Sequence, residues 1–178
     1  MLSSLLKSII PILFCFLSSP AIALELFGVN LESTNSGELR NAAKQAGVVL
    51  VKESGDDTWF DVYDSSTVLE GSTLLYLGFV KNSQQFAFAE YEFPGVDTRL
   101  LLAKLTRKYG KAAISAGRFI SDKRYRWDQD GIAIELRSEW QNYKTHIIYR
   151  NPVVFAELLQ ERLSVIDTPA AKPEVSIF

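Results

Sequence analysis

Apolar residues recur at helical spacing in three stretches of the chain, and the segments between them alternate at strand spacing. Residues 36–46 put Leu39, Ala42, Ala43 and Ala46 on one face, and Gly47 stops the pattern. Residues 97–109 align Leu101, Leu102, Leu105 and Tyr109, with Asp97 or Thr98 as N-cap and Gly110 as the stop. Residues 152–164 carry Val154, Phe155, Leu158, Leu159 and Leu163. There Asn151 caps, and Pro152 takes the first helical position, where its missing N–H costs nothing. The clearest strand is 131–140. Ile132, Ile134, Leu136 and Trp140 share one face; Ala133, Glu135, Arg137 and Glu139 share the other. Strands are also predicted at 48–52, 59–63, 73–80, 85–93, 114–119, 123–127 and 145–150, with a hairpin turn at 81–84.

The order is helix then strands, helix then strands, and a last helix. Landmarks recur across the two passes. Leu39 and Gly47 match Leu102 and Gly110 at one offset, and Tyr91 and Pro94 match Tyr149 and Pro152 at another. Tyr63, Gly71 and Leu77 correspond in order to Tyr125, Gly131 and Leu136. The expected fold class is therefore α+β: two tandem units of a helix packed on an antiparallel sheet, at 24–94 and 95–166, the second including the C-terminal helix. A helix on one sheet face leaves the other open to water. In the second unit that open face should carry Arg124, Arg126, Glu135, Arg137 and Arg150, the candidate binding residues. Arginines in such a row form two-point bonds with carboxylates or phosphates, or pair across strands with Glu135, Glu139 and Asp128.

The first 23 residues follow the plan of a secretory signal peptide: a start with Lys7, an apolar run from Ile9 to Leu17, and Ala21-Ile22-Ala23 as a small-x-small cleavage site. The run is about half of the roughly 20 residues that span a bilayer. Cleavage near Ala23 would release the chain into the periplasm or the medium. The sole cysteine, Cys15, lies in the leader, so the remainder must hold together through its apolar core without disulfides. No later apolar run reaches membrane-spanning length. Residues 167–178 contain Pro169-Ala-Ala-Lys-Pro173 without periodicity and read as a disordered tail, ending in the apolar Val175-Ser-Ile-Phe178.

Formal charge is only −2, but it is segregated. Residues 25–93 hold eleven acids and four bases; residues 94–151 hold six acids and twelve bases. The halves either neutralise each other within the molecule or present one-signed faces to a partner. The mild overall acidity and the leader argue against nucleic acid as that partner.

Catalytic chemistry is sparse. His146 is the only histidine, and no cysteine outside the leader can join it as a metal ligand. Asp56-Asp57 and Asp128-Gln129-Asp130-Gly131 approach a calcium loop, but the latter reads better as a turn between strands. The serines have no G-x-S-x-G elbow. The one hydrolase constellation available is Asp61 with Glu90 and Glu92, three carboxylates from two strands. No cofactor motif is present.

Glu25-Leu-Phe-Gly-Val-Asn-Leu31, the short helix ending at Ala46-Gly47, Ala89-Glu-Tyr-Glu-Phe-Pro-Gly95 and Tyr125-Arg-Trp127 resemble segments of small exported bacterial proteins of unassigned function. The layout is similar to the tandem units of the beta-lactamase inhibitor protein fold and of small outer-membrane assembly lipoproteins, with one helix per unit where those have two. The resemblance implies a periplasmic binding module rather than an enzyme and transfers no functional residue. The expected function is capture of another envelope protein through an open sheet face or edge, with a carboxylate-based envelope hydrolase as the alternative.

Overall fold

The computed structural model describes residues 24–55, 58–116, 123–139 and 141–166. The expected leader, the tail, Trp140 and Asp56-Asp57 fall outside these residues. A small hairpin of β1 (Glu25–Leu26) and β2 (Val29–Asn30) comes first, turned by Phe27 and Gly28, both at positive φ. It went unpredicted because two-residue strands carry no alternation to read. Then follow α1 (Ser36–Ala46), β3 (Val49–Lys52), β4 (Phe60–Asp64), β5 (Leu74–Phe79) and β6 (Phe86–Pro94). The second pass is α2 (Thr98–Tyr109), β7 (Ala113–Ala116), β8 (Lys123–Gln129), β9 (Ile132–Glu139) and β10 (Lys144–Arg150), closed by α3 (Pro152–Ile166).

Local chemistry sets the helix ends. Asn35 Oδ1 accepts from the Glu38 N–H, and Asp97 from that of Arg99. Asn151 Oδ1 accepts from the N–H groups of Val153 and Val154. Gly47, at φ 94°, closes α1 in the left-handed conformation that glycine adopts without strain.

The two passes are halves of one sheet. Eight strands run in the order β3-β4-β5-β6-β10-β9-β8-β7, all pairings antiparallel. The last strand of each meander, β6 and β10, meet at the centre. One lateral row crosses every strand: Leu50, Tyr63, Leu75, Tyr91, Ile147, Leu136, Tyr125, Ile114. Read outward from the β6–β10 seam, each side runs Tyr or Ile, Leu, Tyr, then Leu or Ile. This register pairs Leu75, rather than Leu77, with Leu136 as the equivalent position.

The row faces α1 and α2. Leu39 and Ala43 of α1 and Leu101 and Leu105 of α2 join Tyr63, Leu75, Leu77, Tyr91, Trp127, Ile134 and Leu136 in the main core. Each fully buried Leu here contributes about 2 kcal/mol. Ala46, expected on the buried stripe, is exposed in the last turn of α1. The opposite face is not wholly open. α3 crosses it over the first half, where Val154 and Leu158 pack on Val80, Ala87 and Phe88. Trp59, Phe60, Tyr76 and Phe155 close around Phe88. Three of the five residues of the α3 stripe are used, and Leu159 and Leu163 remain exposed.

Candidate functional site

No helix among the described residues covers the face away from α1 and α2 over β7–β9, and alternation decides what that face shows. Trp127 and Tyr125 turn inward, and Trp127 Nε1 donates to the Gly110 carbonyl at 2.8 Å. That fixes Arg124, Arg126 and Asp128 outward. On β9, buried Ile134 and Leu136 likewise send Ala133, Glu135 and Arg137 outward. Register sets Arg126 opposite Glu135 and Arg124 opposite Arg137. Like charges directly across an antiparallel pair are destabilising, so the second pairing is an unfavourable one.

Two arginines of the row are neutralised and two are not. Arg126 forms a two-point contact with Asp128, the closest approach 2.8 Å. Arg137 lies 3.1 Å from Glu90 and 3.8 Å from Glu139. Arg124 is exposed and makes no ion pair among the described residues. Arg150 sits with its guanidinium 4.4 Å over the Phe155 ring. Its Nε is buried without a hydrogen-bond partner among the described residues, and burial pulls its pKa below the usual arginine value. Glu135 and Arg137, expected to be exposed, are half-buried, because they flank Ile148, which is buried on this face between Glu90 and Glu135.

At the seam the acidic and basic halves meet. Glu90 Oε1 lies 2.8 Å from His146 Nδ1 as well as near Arg137, and Glu92 pairs with Lys144 at 2.9 Å. Burial pushes the Glu90 carboxyl up, but His146 and Arg137 outweigh it and hold it below its ordinary value. His146 itself is buried, with Glu139 3.7 Å from its Nε2. None of these partnerships was legible in the sequence, because each needs β6 beside β10. The surviving signal was the matched i, i+2 spacing of Glu90 and Glu92 with Lys144 and His146.

The hydrolase constellation is not assembled. Asp61 points to the opposite face from Glu90 and Glu92, toward α1. Its carboxylate accepts two hydrogen bonds from Arg40 at 2.7 and 3.0 Å, one from the Ser54 N–H at 2.8 Å, and one from Tyr63 Oη at 3.3 Å. Arg40 carries its charge into α1, so the group locks helix to sheet. With Asp61 on the other face, and Glu90 and Glu92 held by Arg137 and Lys144, these three carboxylates do not converge on one cleft. Among the described residues no cluster of His, Cys, Asp or Glu could hold a metal ion, and no helix is long and apolar enough to cross a membrane. A cleft of about 340 Å³ opens between the end of α3 and the chain around Ser54, Thr58 and Trp59, remote from the arginine row.

No family model matches this chain, and no curated protein matches it. Among solved structures, a DUF4309 family protein (YjgB) from Bacillus subtilis subsp. subtilis str. 168 is similar at 15% identity, with a TM-score of 0.47. The match covers 72% of this chain and 86% of that one. A likeness that distant carries no argument about function.

Proposed function

We propose that the protein is an exported binding module that holds another envelope protein against the open face of β8 and β9. The observation that supports this reading is the juxtaposition of Arg124 and Arg137 on a face that no helix among the described residues covers. The fold tolerates a like-charge pair there, with Arg126 alongside and Arg124 left without an acid. Arg137 and Arg126 already hold acids, so a partner presenting a carboxylate would form its two-point bond with the Arg124 guanidinium. Export rests on the leader pattern of residues 1–23, and the periplasm is the compartment it suggests. The mirrored row about the β6–β10 seam supports an origin by tandem duplication, with binding chemistry retained on the second copy only. On that view, the first copy spent its outer face on docking α3.

No observation favours a hydrolase over this reading. The experiment is crosslinking capture from the periplasm with the natural chain and with R124E/R126E, two exposed positions whose reversal leaves the core untouched. Loss of a captured acidic partner in the variant supports the proposal, and equal capture overturns it.

A further inference from the structure

We propose that the docking face reads charge order: its partner presents an extended segment with a carboxylate, a cation and a second carboxylate at alternate positions, set against Arg124, Glu135 and Arg150. The inference rests on the docking reading above and adds the partner's charge pattern to it. Strand register carries it. Arg124 lies opposite Arg137, Glu135 lies between Arg126 and Ile148, and Arg150 lies opposite Ala133. Each step from Arg124 to Glu135 to Arg150 therefore moves one strand across the sheet and two residues along it. All three belong to the outer face, so they form one straight diagonal over β8, β9 and β10. With about 4.8 Å between strands and about 6.8 Å per two residues, neighbours on the diagonal stand about 8 Å apart.

The other charges of this face are spent. Arg126 is committed to Asp128 at 2.8 Å, Arg137 lies between Glu90 and Glu139, and Lys144 holds Glu92. Arg124, Glu135 and Arg150 make no ion pair among the described residues, and their signs alternate along the diagonal. Arg150 is the least satisfied of the three. It is half-buried, its Nε has no hydrogen-bond partner among the described residues, and burial lowers its pKa despite the nearby Glu135. The Phe155 ring, 4.4 Å from the guanidinium carbon, holds it in place. A carboxylate docked there would supply the charge partner that these residues withhold.

Spacing selects the partner's conformation. An extended chain puts alternate side chains on one face about 6.8 Å apart, and the long stems of Arg, Glu and Lys span the difference from the 8 Å step. A helix spaces positions i and i+4 by about 6 Å, so three such positions reach about 12 Å against about 17 Å for the diagonal. A uniformly acidic segment would be attracted at both arginines and repelled at Glu135, so the middle charge sets the order. A second copy of the chain is a poor occupant. Its alternating row, Glu135-Leu-Arg137-Ser-Glu139, has its central cation already beside Glu90 and Glu139.

Binding of two synthetic peptides to the natural chain and to E135K tests the proposal. One peptide carries Glu-Thr-Lys-Thr-Glu at its centre and the other Glu-Thr-Glu-Thr-Glu, both followed by surface plasmon resonance at low salt. The natural chain should bind the mixed peptide about tenfold more tightly, although it carries less negative charge, and E135K should reverse the preference. E135Q, which adds no like charge beside Arg126, should abolish the preference. A natural chain that prefers the triply acidic peptide, as a merely basic face would, overturns the proposal and leaves the docking reading standing. Equal binding of both peptides, or of neither, overturns it as well. The docking reading fails separately, when periplasmic capture ignores R124E/R126E.

Discussion

Asp61 and Arg126 illustrate how differently two charged residues contribute. The Asp61 carboxylate is fully buried and meets four donors, whereas the Arg126–Asp128 pair is more than half exposed on both sides. Replacing Asp61 by Asn removes the buried charge that Arg40, about one-third exposed and still beside Glu53, is bonded to, and should cost about 2 kcal/mol. Replacing Arg126 by Ala should change stability by less than about 1 kcal/mol. Urea denaturation of the two variants measures both, and equal effects would show that Asp61 does not anchor α1. Glu90 adds a pH dependence. Its folded pKa lies below its ordinary value of 4.5, so its stabilising contribution is complete above that pH and is lost as pH falls through the lower folded value. E90Q should therefore show a shallower loss of stability between pH 4.5 and the acid limit than the natural chain, measured by thermal melts across that range.

Most elements were legible because their signals are local. Gly47, Gly110, Asn151 and Pro152 mark helix ends by backbone chemistry, and the alternation of 131–140 predicted β9 (Ile132–Glu139) to within a residue at each end. The joining of the two meanders was not legible. In β6, Phe86 to Ala89 are buried on both faces, as are Thr145 to Ile148 in β10. That is the mark of central strands, but in sequence it reads simply as an apolar run with no face assigned. The site suffered for it, since Glu90 and Glu92 read as a free acidic pair until β10 is laid beside them. The partial use of α3 was hidden for a related reason. Its stripe was counted at full width, while its seat is one aromatic cluster centred on Phe88. Gly78 makes room for that cluster. A Cβ there would clash with Phe88 Cε1, and the Phe88 ring meets Phe155 of α3 edge to face at 5.7 Å. G78A should therefore unseat α3 and cost about 2 kcal/mol, read as a drop in melting temperature together with faster exchange across α3. An unchanged melt would mean the helix is held elsewhere.

In the whole molecule the charge asymmetry has two outcomes. Along the seam the acidic and basic halves neutralise each other, through Glu90 with Arg137 and His146 and through Glu92 with Lys144. Away from the seam, the outer face of β8 and β9 balances Arg124, Arg126 and Arg137 against Asp128, Glu135 and Glu139, but Arg124 alone of the three arginines has no ion pair among the described residues. The claim that this face is a docking surface is tested most directly by partner capture as a function of salt, with the natural chain beside R124E/R126E. The account predicts one acidic partner, captured at low salt, weakened as ionic strength rises through the physiological range, and lost in the variant while its melting temperature is unchanged. Capture that is indifferent to both salt and the double reversal would contradict it.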